Sequence, residues 1–290
     1  MRKIITAAIA GTTAIAASLT MAGMASASTG TPRISPEEAG YSATGARFKD
    51  VRASVYLRNP EQYASLVGGY AHSVQLWSSG LVMVLGVSGS TASGATAGFS
   101  PAVRVFDRGS HALLASSANG TIPAQWRPAA GSSGPWAGQS FPIRMTVTER
   151  ISYDPASGDA SFTATDAVGD RFTATYRAGE GQSFNQARIG TEFGTDPWTV
   201  PAFTPPSDWT KIAIYNDARL VSYGGHAATL ESWWVSHALE ANTGAQSDTG
   251  DWVAIPSDLL NEGATFATAF VPGSAQRPMQ AGPLALHVGK

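Results

Sequence analysis

The chain has no cysteine, so disulfides cannot contribute to its stability. A chain of 290 residues is long enough to bury a large apolar core instead. Charged residues make up only 14% of the sequence, whereas glycine is abundant, with 31 residues. This composition is more typical of a β-rich extracellular protein than of a helical one.

Lysine is scarce as well. Beyond Lys3, the lysines are Lys49, Lys211 and Lys290, and no basic stripe is present. Such a chain cannot neutralise a row of phosphates, so we expect no nucleic-acid partner. The five histidines form no HExxH motif and no close pair, so we expect no metal site and no cofactor.

The first 27 residues have the pattern of a secretory signal peptide. Arg2 and Lys3 form a basic start, an Ala-rich apolar run follows to about Met24, and residues 25–27 give an Ala-Ser-Ala cleavage site. We therefore expect a secreted, extracellular protein that has no contact with the membrane after cleavage. Cleavage would reduce the basic residues from 19 to 17 against 21 acidic ones, for a formal charge of −4.

Most patterned segments alternate with period two, as strands with one buried face do. In the segment 51–57, for example, Val51, Ala53 and Val55 share a face with Leu57. Further strands are predicted over 81–87, 101–107 and 143–148, with hairpin turns at 154–159 and 168–170. The expected fold is all-β, an antiparallel β-sandwich or jelly roll.

The domain prediction places this sandwich at residues 37–272. Residues 28–36 form a short N-terminal segment after the leader, and residues 273–290, which contain two prolines, form a C-terminal extension. No composition shift divides the chain further, and we expect a monomer.

The segment 184–194 is the best functional lead. On one face of an extended strand it would bury Ala187, Ile189, Thr191 and Phe193. On the other face it would present Gln186, Arg188, Gly190 and Glu192. This polar row could form the floor of a binding cleft, with open space for a ligand backbone at Gly190. Alternatively, it is an ordinary solvated strand face on which Arg188 and Glu192 pair with each other.

Two segments carry a family resemblance. Residues 39–48 read Ala-Gly-Tyr-Ser-Ala-Thr-Gly-Ala-Arg-Phe and precede the alternating segment 51–57, and residues 187–192 read Ala-Arg-Ile-Gly-Thr-Glu. They resemble the eqolisins, the glutamic peptidases, over roughly Ala39 to Pro272. The resemblance implies an exported, concanavalin-like β-sandwich that cleaves peptides at acid pH without a metal.

In that family a glutamate activates water and a glutamine amide holds the oxyanion. The matching glutamate is Glu192. Val84 stands where the eqolisin pattern has the glutamine, and Arg104 stands where that pattern has an acidic residue. Gln75 is the remaining candidate amide. We therefore predict a degenerate homologue with a Glu192-lined cleft for an extracellular peptide or polysaccharide, and as the alternative an acid endopeptidase using Glu192 and Gln75. The polar residues assigned to substrate binding are Gln186, Arg188 and Arg104.

A glycoside hydrolase is a rival interpretation, since Gly190–Phe193 is similar to the Gly-Thr-Glu-Pro-Phe acid segment of jelly-roll endoglucanases. That chemistry needs a second carboxylate within roughly 5–10 Å. The candidates for it are Glu149, Asp107 and Asp166.

A carbohydrate- or peptide-binding protein is the third possibility, because exposed aromatic rings stack on sugars and hold side chains. Trp136, Trp198 and Trp209 lie in Gly- or Pro-rich contexts and are candidates for the rim of a cleft. Trp77 is expected to cap the sandwich core.

Overall fold

The computed structural model of the chain describes residues 33–34, 38–57, 70–90, 98–118, 122–123, 126–128, 140–142, 146–193, 210–230, 238–243, 246–247, 250–256 and 266–272. The predicted leader, the predicted C-terminal extension and the three rim candidates Trp136, Trp198 and Trp209 lie outside these residues. Within the described part, no helix has the length and hydropathy of a membrane span.

Regular structure in the described residues is almost entirely β. The strands are β1 (Arg33–Ile34), β2 (Glu38–Thr44), β3 (Phe48–Leu57), β4 (Tyr70–Trp77), β5 (Leu81–Ser90), β6 (Gly98–Asp107), β7 (Leu113–Ala118), β8 (Ile122–Pro123), β9 (Trp126–Pro128), β10 (Ser140–Pro142), β11 (Thr146–Asp154), β12 (Asp159–Asp166), β13 (Arg171–Arg177), β14 (Gln186–Phe193), β15 (Thr210–Ser222), β16 (Ala227–Thr229), β17 (Ala238–Thr243), β18 (Gln246–Ser247), β19 (Gly250–Pro256) and β20 (Phe266–Pro272).

These strands form two large sheets and one two-stranded sheet. Sheet A has the order β1-β17-β2-β14-β4-β5-β6-β7, with β8 also on β6. Sheet B has the order β13-β12-β11-β3-β15-β20-β19-β18, with β16 also on β15, and β9 pairs with β10 separately. The described pairings are antiparallel except the short one between β1 and β17.

The two sheets share one apolar core. Sheet A contributes residues such as Ile189 and Leu85, and sheet B contributes residues such as Val51, Ile151 and Phe162, all with no exposed surface. The period-two pattern explains why: alternate residues of each strand point between the sheets. The predicted all-β antiparallel sandwich is confirmed.

The predicted hairpin turns are also present. Gly158 closes the turn between β11 and β12, and Gly169 closes the turn between β12 and β13. Both adopt positive φ angles, 76° and 96°, which glycine reaches without a steric penalty.

A small polar cluster crosses the core. The imidazole Nδ1 of His72 lies 3.2 Å from the Thr191 hydroxyl and 3.0 Å from the Tyr215 hydroxyl. Thr191 also contacts the Thr268 hydroxyl at 2.7 Å. His72 and Thr191 belong to sheet A, whereas Tyr215 and Thr268 belong to sheet B, so these hydrogen bonds join the two sheets.

Gly190 serves strand packing rather than ligand access. A Cβ at Gly190 would lie 2.4 Å from the carbonyl oxygen of Ala39, and a Cβ at Gly40 would lie 2.2 Å from that of Ile189. The backbones of β2 and β14 therefore approach too closely for any side chain at either glycine. The expectation of open space for a ligand at Gly190 is wrong.

Candidate functional site on the outer face of sheet A

The outer face of sheet A, which points away from sheet B, carries the predicted polar residues. Strand register places Arg188 opposite Gln75, Gln75 opposite Val84, and Val84 opposite Arg104. Residues opposite one another share a face, so these four form one row across β14, β4, β5 and β6. Val84, which stands where the eqolisin amide was expected, is buried at the centre of that row.

Glu192 lies on the same face but is committed to an ion pair. Its Oε2 accepts a hydrogen bond of 2.8 Å from Nη2 of Arg104, whose side chain is 16% exposed. Glu192 itself has no exposed surface. A charge-assisted bond of this length in a buried setting favours the ionised carboxylate and orients it towards the guanidinium.

Glycine and alanine make this ion pair possible. Arg104 belongs to the row of Val84, so its guanidinium must pass over the next outward position of β5, which is Gly86. A Cβ at Gly86 would lie 3.6 Å from Arg104 Nη2 and 3.1 Å from the Cβ of Ala71. The missing side chain at Gly86 thus leaves the path along which Arg104 reaches Glu192.

Gln75 shares the face with Glu192 but is not its neighbour. Glu192 lies opposite Ala71, four residues along β4 from Gln75. At about 3.3 Å per residue, this separates the two backbone positions by roughly 13 Å along the strand. The amide is also engaged locally, because its Oε1 accepts from Trp77 Nε1 at 2.7 Å and its Nε2 donates to Ser73 at 3.2 Å.

Arg188 pairs with a residue that the sequence patterns did not single out. Its Nη1 donates to Glu38 Oε2 at 3.2 Å, and its guanidinium lies 3.9 Å from the centre of the Trp77 ring. The alternative pairing of Arg188 with Glu192 is therefore not the one observed. Trp77 lies on the outer face with Val82, Val84 and Phe106 rather than over the sandwich core.

Glu38 and Glu192 lie directly opposite each other on β2 and β14. Side chains at opposite positions of an antiparallel pair have Cβ atoms about 5 Å apart. Each of these buried glutamates pairs with its own arginine. Alternation with Gly40 and Ser42 was the available signal for Glu38, but the register of β2 on β14 was not readable from the sequence.

The three carboxylates proposed earlier as partners for Glu192 lie elsewhere. Asp107 accepts hydrogen bonds from the Ser110 amide and hydroxyl in a turn, which lowers its pKa. Asp166 accepts from the amides of Val168 and Asp170 in the next hairpin. Glu149 points into the core between the sheets.

Glu149 is the most unusual carboxyl in the described structure. It has no exposed surface, and neither of its oxygens makes a hydrogen bond of normal geometry. Burial raises the pKa of Glu149 well above its ordinary value, and the charge of Glu192 raises it further, although the Val87 amide opposes the shift.

An accessible depression of about 540 Å³ lies at one end of the outer face. It forms where β2 ends and β14 begins, and it is lined by Thr44, Gly45, Ala46, Arg47, Arg108, Asn185 and Gln186. Gln186 is the only residue with a predicted substrate-binding role in this lining.

Among the described residues, no three His, Asp or Glu side chains come together in a way that could hold a metal ion.

Comparisons with known proteins add little to this description. No protein-family model matches the sequence, and no curated protein matches it. Among solved structures, the chain is similar to scytalido-glutamic peptidase in a crystal structure with a transition state analog inhibitor, at 12% identity and a TM-score of 0.47. That match covers 82% of this chain and 100% of the other. The fold assignment therefore rests on the strand pairing and shared core described above.

Proposed function

We propose that this chain is a secreted, eqolisin-like β-sandwich that binds an extracellular peptide or polysaccharide without cleaving it. The observation that carries the proposal is the buried ion pair between Arg104 and Glu192. A glutamate that activates water must touch that water and accept its proton. Glu192 is instead closed off from solvent and already bonded to a cation.

The position of Gln75 supports the same conclusion. An amide that stabilises an oxyanion must lie about 3 Å from the oxygen on which charge develops, with a free N–H group. Gln75 lies four residues along β4 from the position opposite Glu192, roughly 13 Å away at about 3.3 Å per residue, which is too far for its amide to act with Glu192 on one substrate oxygen. The other candidate position holds Val84, which cannot donate at all.

The test is hydrolysis of an unfolded protein substrate between pH 3 and 5, paired with binding to peptide and glycan arrays. We expect no cleavage by the parent protein above that of Glu192→Gln, together with saturable binding to one array. Cleavage by the parent that Glu192→Gln abolishes would overturn the proposal and support the acid endopeptidase. Absence of saturable binding on both arrays would also contradict it.

The facing pair of Glu38 and Glu192 favours glycoside hydrolysis as the second candidate function. Retaining glycosidases hold two carboxyl groups roughly 5–5.5 Å apart. Glu38 and Glu192 are directly opposite on neighbouring strands, so their Cβ atoms are about 5 Å apart and their carboxyl groups can approach each other. Each carboxylate is held by an arginine, so this function requires both ion pairs to open.

Release of reducing sugar from a β-glucan tests this second candidate. Activity that is lost in both Glu38→Gln and Glu192→Gln would replace the binding function with hydrolysis. We expect neither the parent nor the variants to release sugar.

A further inference from the structure

The depression at Gln186 has a structural origin in the way two strands separate. Pairing between β14 and β2 runs to the contact of Ala187 with Ala43 and stops there. Beyond this point the chain after β2 turns away at Gly45, which has a φ of 93°. The space between the diverging strands forms the depression, whose volume is in the usual range for small-ligand sites.

Two arginines that have no carboxylate partner among the described residues line this space. Arg47 and Arg108 make no ion pair with any described residue. The other arginines with described side chains each pair with an aspartate or glutamate, except Arg171, which donates to a threonine hydroxyl. Positive charge without a local partner is therefore concentrated at the depression.

Both guanidinium groups are held in place. Arg108 donates from Nη1 to the carbonyl oxygen of Ser78 at 2.7 Å and lies 5.4 Å from the centre of the Trp77 ring. Arg47 lies 5.1 Å from the centre of the Tyr223 ring. Side chains ordered in this way lose less freedom when they bind an anion.

The nearest acid in sequence does not take up this charge. Asp107 precedes Arg108, but its Oδ1 accepts two hydrogen bonds from Ser110. The remaining polar lining comes from the hydroxyl of Thr44 and the side-chain amides of Asn185, which is exposed, and Gln186, which is half-buried. Amides of this kind can both donate to and accept from a peptide group.

We propose that this depression binds a carboxylate of an acidic peptide, with Arg47 and Arg108 contacting the carboxylate and Gln186 contacting the adjacent peptide group. The inference rests on the proposed binding function and narrows its ligand. A peptide fits better than a polysaccharide because the described residues of the lining include no aromatic ring on which a sugar could stack. Guanidinium groups match the planar geometry of a carboxylate.

The test is fluorescence anisotropy with labelled tetraglutamate and the full-length protein. We expect saturable binding that weakens with added salt, and no comparable binding of labelled tetraglutamine. Arg47→Gln and Arg108→Gln should each weaken the affinity about tenfold, as expected for loss of a hydrogen bond to a charged group. The matched control is Arg171→Gln, which removes an equally unpaired arginine from β13 and should change the affinity less than about twofold.

Three outcomes would overturn the inference. These are equal binding of the two peptides, equal weakening by Arg171→Gln, and binding of an oligogalacturonate in place of tetraglutamate. If Arg108→Gln destabilises the protein, Arg47→Gln still tests the site, because Arg47 is exposed and its replacement should leave the fold intact. Mass spectrometry of the peptide after titration reports cleavage separately, so failure of the proposed function and failure of this site give different results.

Discussion

Glu192 and Glu149 are both completely buried, on opposite sides of sheet A, and their surroundings differ. Glu192 faces outward and bonds to Arg104 at 2.8 Å, whereas Glu149 faces the core, where neither oxygen makes a hydrogen bond of normal geometry. A guanidinium favours the ionised carboxylate, and an apolar core favours the protonated acid. Burial of a glutamate therefore identifies a functional acid only when its partner is known.

The two glutamates also have different consequences for stability. Removing the cation beside Glu192 takes an ion-pair partner away from a buried carboxylate, which is destabilising. Replacing Glu149 by a neutral residue removes the free-energy cost of keeping a buried carboxyl protonated at neutral pH, where the unfolded chain would ionise it. Substitutions at the two sites should therefore change the free energy of unfolding in opposite directions at neutral pH.

The largest effect is expected for Arg104→Met. It should lower the free energy of unfolding at pH 7 by about 3–5 kcal/mol, because it removes the guanidinium that pairs with the buried Glu192 carboxylate. Urea unfolding measures this change. The control is Arg177→Met, which breaks an ion pair with Asp159 in which the two side chains are 71% and 50% exposed, and it should cost no more than about 1 kcal/mol. Equal losses for the two variants would remove the contrast between buried and exposed pairs.

His72 should account for most of the decrease in the free energy of unfolding at acid pH. Burial lowers the pKa of its imidazole from 6.5 to about 3, so the folded state stays neutral while the unfolded chain takes up a proton. Stability is thus fully present above pH 6.5 and declines as the pH falls, by roughly 3 kcal/mol between pH 7 and pH 4. In the His72→Gln variant, the free energy of unfolding should depend less on pH when it is measured across that range. If the variant loses as much stability as the parent between pH 7 and pH 4, groups other than His72 cause the loss.

Glu149 should give stability the opposite dependence on pH. Its folded-state pKa lies above the ordinary value of 4.5, so the folded protein keeps a proton that the unfolded chain loses, and stability falls as the pH rises above 4.5. Glu149→Gln should therefore be more stable than the parent at pH 7 by about 1–3 kcal/mol. Glu149→Asp retains the carboxyl and should retain the slope. If Glu149→Gln is less stable than the parent at pH 7, the carboxylate has a partner that stabilises it.

The smallest effect concerns the path of Arg104 across the sheet. Gly86→Ala adds a Cβ 3.1 Å from that of Ala71 and 3.6 Å from the guanidinium, and should cost about 1 kcal/mol. Gly80→Ala is the control, because a Cβ there meets nothing within 4 Å and should change the free energy of unfolding by less than about 0.5 kcal/mol. Thermal unfolding of the two variants gives the comparison. Equal effects would mean that Gly86 is not needed for the ion pair.

Local pattern was enough to predict the fold. Alternation of apolar residues in the segment 51–57 and the turn residues at 154–159 reflect forces within a few residues, and the structure confirms both. The outward face of 186–192 was predicted correctly for the same reason, because strand alternation is a local property.

The site was harder to predict because its contacts depend on strand register. Arg104 and Glu192 are 88 residues apart in sequence and belong to strands that are not adjacent in the sheet. The sequence pattern did not identify Glu38, because only the pairing of β2 with β14 places it opposite Glu192. The close approach of β2 that requires Gly190 is likewise a tertiary effect, which a single glycine in a strand does not reveal.

A double-mutant cycle on Arg104 and Glu192 tests the central claim most directly. Arg104→Met, Glu192→Gln and the combined variant are compared with the parent by urea unfolding at pH 7. If Glu192 is a structural carboxylate held by Arg104, the coupling energy should be about 2–3 kcal/mol, and the double variant should recover most of the stability lost by Arg104→Met. A coupling energy below about 0.5 kcal/mol would show that Glu192 is not held by Arg104, and would contradict the account.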